Sequence, residues 1–311
     1  MKRIPTVLIG LTAAALALSA CTSASDLEKK SGASAGASAV AIPVYDNSKV
    51  TEQKDISALL PDSVKSDGKL SIGASTDYAP AEFLDPAGKA VGYDVDFAKA
   101  LGKVLGLEVE VTTAEFDSII PAVGTKYDLG ISSFTITKER EESATLVSYI
   151  NVGSQFNVAK GNPKKLDVSD TINLCGLTIG VQTGTAQEEA LQGYSKGCQS
   201  TGHKAIDIKS YAAHSDAATA LAGGAIDATF SDSTVAGYAQ IQTGGQVETV
   251  GEVMASEPQG VVVASADQAT ADAVQKAIQY LMDQGIWKEI LKTWGIDESQ
   301  ALETAEINPQ L

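Results

Sequence analysis

Short β-like runs alternate with helical stretches from Leu70 onward, and the alternation comes in two series. Residues 70–74, 108–113 and 128–132 read as strands. Between the first two, residues 94–105 read as a helix with Phe97, Leu101, Val104 and Leu105 on one face. A second series opens at residues 177–181 and continues through 205–209 and 227–231. A late strand at 260–264 and two helical segments containing Met282 and Trp294 finish the chain. Two such series predict two α/β lobes with a cleft between them, and 311 residues is long enough for both.

The first twenty residues read as an address rather than as fold. Lys2 and Arg3 precede an apolar run of residues 7–18, which suits a signal peptide and is too short to span a bilayer. The run ends in Leu18-Ser-Ala-Cys21, which resembles a bacterial lipobox. In lipoproteins of that kind Cys21 would be diacylated and become the first residue, anchoring the protein to the membrane. Residues 31–39, rich in Ser, Gly and Ala, are expected to form a flexible tether. Processing would remove two basic and no acidic residues, taking the net charge from −16 to −18. Such a charge, with no long basic run, argues against a nucleic-acid partner.

If Cys21 is lipidated, Cys175 and Cys198 remain as an even pair in an oxidising compartment. A disulfide is expected, with two free buried thiols as the alternative. No Cys/His cluster points to a metal, and no cofactor is implied. His203 and His214 sit in polar stretches and are expected at the surface.

Residues 70–295 resemble the polar-amino-acid family of periplasmic binding proteins, solute-binding family 3. The resemblance is carried by Ser75-Thr-Asp-Tyr-Ala-Pro-Ala-Glu-Phe83, Gly92-Tyr-Asp-Val-Asp-Phe97 and Phe116-Asp-Ser-Ile-Ile-Pro121. It continues through Tyr127-Asp-Leu-Gly-Ile-Ser-Ser-Phe-Thr-Ile-Thr-Lys-Glu-Arg140, Gly180-Val-Gln-Thr-Gly-Thr185 and Gly224-Ala-Ile-Asp-Ala228. It implies a type II periplasmic-binding-protein fold, α/β, with two lobes joined by two crossovers. The expected organisation is a leader at 1–20 and a lipidated tether at 21–65. Lobe 1 is then 66–153 plus 258–311, and lobe 2 is 157–253.

A free amino acid leaving water needs both of its charges matched. The resemblance puts the bidentate guanidinium of Arg140 on the ligand carboxylate, following the polar run Ser132, Ser133, Phe134 and Thr135. From the other lobe, Thr185-Ala-Gln-Glu188 reads as a capping box whose helix start at Ala186 and Gln187 offers N–H groups to an anion. Many relatives carry a second threonine where this chain has Ala186, so a hydroxyl contact is lost there. Asp232, with a hydroxyl or carbonyl from the Ser132–Ser133 turn, is implied for the ammonium, and a helix N-cap is its other reading. Tyr78 and Phe116 match aromatic positions that sandwich the ligand side chain. Ser75, Gln182 and Ser231 match side-chain contacts, and their uncharged polarity suits an amide, hydroxyl or cationic ligand. Asp77 and Glu82 would favour a cation if they face the cleft rather than solvent. Ala81 replaces a bulky aromatic and suggests a wider pocket. The residues leave glutamine, arginine, lysine, histidine and glutamate open.

The implied function is that of a monomeric solute-binding lipoprotein on the outer face of the cytoplasmic membrane. It would bind a free polar amino acid and deliver it to an ABC permease and its ATPase. The alternatives are an amino-acid sensor or adhesin, and a dehydratase-like enzyme on the same scaffold. No acid/base pair stands out for catalysis.

Overall fold

The computed structural model describes residues 42–310. The leader, Cys21 and the Ser/Gly/Ala-rich stretch at 31–39 lie outside the described residues.

Lobe 1 begins with β1 (Lys69–Ala74), whose Leu70 and Ile72 are buried. A small antiparallel sheet of β2 (Asp77–Tyr78), β3 (Glu82–Leu84) and β4 (Ala90–Val91) follows. The helix Tyr93–Leu105 comes next, with Phe97, Leu101, Val104 and Leu105 buried as their spacing predicts. Gly106 ends it in the left-handed region at φ 73°. β5 (Glu108–Thr113) and β6 (Leu129–Thr135) pair in parallel with β1 on either side.

Two long strands then carry the chain between lobes. β7 (Ala144–Ala159) runs out of lobe 1. Lobe 2 is built on β8 (Thr178–Gln182), β9 (Asp207–Tyr211) and β10 (Ala228–Asp232). β11 (Val247–Ala264) returns antiparallel to β7. The order β5-β1-β6-β11-β7-β10-β8-β9 places the two lobes on either side of the β7/β11 ribbon. This is the two-lobed type II fold expected. Register shifts between Val250 and Met254 and between Met254 and Glu257 mark where the ribbon bends.

Of the ribbon, the sequence shows only the last residues of β11. β7 is buried on both faces through most of its first half, then half-exposed near Asn151 and Gln155. It therefore has neither clean alternation nor an unbroken apolar run. The late helices Gln268–Asp283 and Ile286–Thr293 pack back onto lobe 1.

Two expectations need correction. Residues 42–65 were assigned to the tether, yet they fold onto lobe 1. Val50, Ile56, Leu60 and Val64 join its core, and Tyr45 and Asn47 donate to Asp96. The apolar residues recur closely enough to bury one side of the segment against the helix Tyr93–Leu105. His214, expected at the surface, is 3 % exposed, because it opens the helix His214–Ala222 against the ring of Tyr78 from lobe 1.

In lobe 2, Cys175 and Cys198 form a disulfide with Cα atoms 5.6 Å apart, tying the turn Thr171–Leu174 to the helix Ala186–Ser200.

Candidate ligand-binding site

Arg140 lies in the short helix Lys138–Ser143, whose N-cap Thr137 accepts from the Arg140 N–H. Its guanidinium lies 5.5 Å from the ring centre of Phe116 and 5.7 Å from that of Phe134. One nitrogen donates to the Thr135 carbonyl at 2.7 Å, and the other crosses to the Gly184 carbonyl of lobe 2 at 3.0 Å. Burial pulls the group down to about 10, with the Asp232 charge opposing, so it stays cationic at neutral pH.

Facing it, Thr185 caps the helix Ala186–Ser200, accepting from Glu188 N at 3.2 Å and donating to the Gln182 carbonyl at 2.8 Å. Glu188 reaches back to the N–H of Gly184 rather than to that of Thr185, so the capping box is offset by one residue. Gly184 has φ 77°, and a Cβ there would stand 2.8 Å from the Cβ of Asp117, so the turn needs glycine on both counts. Being the first two residues of the helix, Ala186 and Gln187 have no intrahelical acceptor for their N–H groups.

Asp232 ends β10 and opens the helix Ser233–Gln242, but its side chain makes no capping bond. Instead, Gln187 Nε2 donates to one carboxylate oxygen and Gln259 Nε2 to the other, each at 2.7 Å. Its N–H donates to the Tyr78 hydroxyl across the cleft at 3.0 Å. Burial pushes its carboxyl up to about 7 against the two amides and Arg140.

The lobes also meet at Ser75. Gln182 Nε2 donates to Ser75 Oγ at 3.0 Å, and that hydroxyl donates to Asp77 at 2.7 Å. Asp77 accepts from the start of the helix His214–Ala222, and burial raises its carboxyl.

These contacts enclose a cavity of about 10 Å³, room for about one water, so an amino acid can enter only if the lobes part. Tyr78, Phe116, Ser133, Thr135, Arg140, Gln182, Thr185, Ala186, Gln187 and Asp232 line it. Ser75 stands one hydrogen bond behind this lining, through Gln182, and Ser132 stands one further back, accepting from Ser75 N. Ser231 is buried beside Asp232 with an unpaired hydroxyl. Ala81 does not widen a wall: it is fully buried beneath the small sheet, where its carbonyl accepts from Asp94 N. Glu82 is buried too, against Ser132 and Ser133, which form a bulge within β6 rather than the expected turn.

Sequence reading missed Gln259. Its one signal is a polar residue placed between Pro258 and Gly260, at the threshold of the apolar run 261–264.

A family model described as bacterial extracellular solute-binding proteins, family 3, matches residues 70–297. The arginine-binding protein ArgT of Corynebacterium glutamicum is 34% identical over 259 residues, covering 82% of this chain and 83% of ArgT. An ancestral arginine-binding protein, solved bound to arginine, superposes with a TM-score of 0.67 at 31% identity, covering 73% of this chain and 98% of that one. The ancestral amino acid-binding protein AncCDT-1, a precursor of cyclohexadienyl dehydratase, gives a TM-score of 0.67 at 28% identity, covering 76% and 99%.

Proposed function

This chain belongs to the bacterial extracellular solute-binding proteins, family 3, and from that premise we propose that it captures amino acids with a cationic side chain, arginine foremost. The coarser role is that of an extracytoplasmic amino-acid-binding protein of an ABC importer, a binding protein rather than an enzyme.

The observation that carries the finer reading is an imbalance of charge. Arg140 matches a ligand carboxylate and Asp232 a ligand ammonium, which leaves Asp77 beside Ser75 and Gln182 without a cation. A zwitterion alone does not neutralise that carboxylate, whereas a guanidinium or ammonium at the end of the side chain does. The names of the relatives that bind arginine support the same reading. Glutamine fits the polar walls but leaves the charge unmatched.

Closure follows from contacts to both lobes. Arg140 with the helix start at Ala186 and Gln187 grips the carboxylate, and the ammonium sits at Asp232, so bound ligand favours the closed state. The moving bodies are residues 66–153 plus 258–311 and residues 157–253, with the segment from residue 42 added to the first. The closed form is then delivered to the permease.

Calorimetry with arginine, lysine, glutamine and glutamate tests the ligand class. Arginine should bind tightest, and Asp77→Asn should weaken arginine more than glutamine. Glutamate binding as tightly as arginine sinks the assignment. We also assign Cys21 as the lipid anchor, so Cys21→Ser should move the protein out of the membrane fraction or block its maturation. Unchanged fractionation refutes the anchor.

A further inference from the structure

Glu82 and Asp94 are buried carboxyls that do not line the cavity themselves and reach it only through Ser133. Each is 1 % exposed. Among the described residues neither forms a salt bridge. The charged and titratable groups around them are Asp77 and Tyr78 on β2, Tyr93, Tyr149 on β7, and Asp232 across the cleft. None is a cation.

Both carboxyls close on the bulge of β6. Ser132 Oγ donates to Glu82 at 2.7 Å, and Ser133 N donates to Asp94 at 3.0 Å. Tyr149 OH lies 2.9 Å from both oxygens of Asp94. Ser133 Oγ stands 3.4 Å from Glu82 and 3.3 Å from Asp94, so one hydroxyl faces both acids. Two ionised carboxylates this close, out of water and without a counter-ion, cannot both persist.

We propose that Glu82 and Asp94 share one proton and act as a singly charged unit that holds the bulge at Ser132 and Ser133 of β6 in its ligand-binding conformation. Glu82 carries the proton and donates it to Asp94, which keeps its charge because the Tyr149 hydroxyl and the Ser133 N–H already point at it. Burial and the Asp94 charge raise the Glu82 carboxyl, while burial takes Asp94 to about 6.

The bulge needs such a clamp. Ser133 is a non-glycine residue at φ 51°, a conformation that persists where its surroundings over-determine it. Ser133 lines the cavity with Arg140 and Asp232, and Ser132 Oγ accepts from Ser75 N on the side of Asp77. The clamp thus fixes one wall of the site from behind. Its negative charge also suits a cationic ligand, and that part rests on the function proposed above; the shared proton does not.

Glu82→Gln puts an amide N–H where the shared proton lies, and Glu82→Ala removes the group. Infrared difference spectra between wild type and Glu82→Gln at pH 7.5 should show a protonated carboxyl band in the wild type that is missing in the variant. Arginine binding should fall about tenfold or more in Glu82→Ala, and Glu82→Gln should recover most of it, as expected for hydrogen bonds to a charged group. Absence of the band, or a Glu82→Gln variant as weak as Glu82→Ala, overturns the proposal. Unimpaired binding in Glu82→Ala also overturns it. A wild type that binds no amino acid would sink the function, while the infrared band still decides the proton.

Discussion

Lobe 1 gathers Tyr93, Phe97, Tyr149 and Trp287 into one fully buried aromatic cluster, with Phe97 4.7 Å from both Tyr149 and Trp287. Residues 42–65 and the late helices add to the same core. Lobe 2 has one aromatic pair in its core, Phe156 on Phe230, and two smaller apolar clusters. It alone carries a disulfide. A lobe with less apolar surface to bury gains from a covalent constraint on its unfolded chain, and a lobe with a large core does not need one. The difference extends to polar groups. Lobe 1 buries a carboxyl pair behind the site, whereas lobe 2 offers a helix start and an aspartate held by neutral amides.

The sharpest way to break this comparison is to remove the disulfide. Cys175→Ser with Cys198→Ser should cost about 3 kcal/mol, falling on lobe 2. Both tryptophans, Trp287 and Trp294, lie in the lobe 1 core, so their fluorescence follows that lobe alone. Circular dichroism follows both. The variant should therefore melt earlier by circular dichroism than by tryptophan fluorescence, and coincident, unshifted curves would show that lobe 2 does not depend on its staple.

A somewhat smaller effect tests whether the two lobes share the ligand's charges. Arg140→Met on one side and Asp232→Asn on the other should each weaken arginine binding about thirtyfold or more, near 2 kcal/mol, because each leaves a charge unpaired. Thermal stability without ligand should change little. The two should differ in acid. Asp232 is protonated below about pH 7, and that proton must leave before an ammonium can bind. Wild-type affinity should fall by roughly tenfold per unit below that point. Arg140→Met should keep this slope and Asp232→Asn should lose it. Equal slopes in calorimetry at pH 5.5 and 7.5 would remove Asp232 from the ammonium.

Much of the architecture was legible in residue order. β1, β5, β8 and β10 and the helix Tyr93–Leu105 are short, locally periodic elements, and their apolar spacing places them within a residue or two. The turn at Gly184 and the cap at Thr185 are equally local, since a capping bond spans three residues. What folding alone decided lies at long range. Asp232 meets Tyr78 across 154 positions, and Gln259 reaches Asp232 from the opposite lobe. His214 is buried by a ring from lobe 1, and β7 has no readable pattern because its surroundings change as it passes between lobes. In the sequence Glu82 could face either the cleft or solvent, and only Ser132 and Ser133, brought to it from fifty residues away, bury it behind the site. Periodicity and turn chemistry record what near neighbours demand, whereas burial and charge in the cleft are set by which distant segments arrive there.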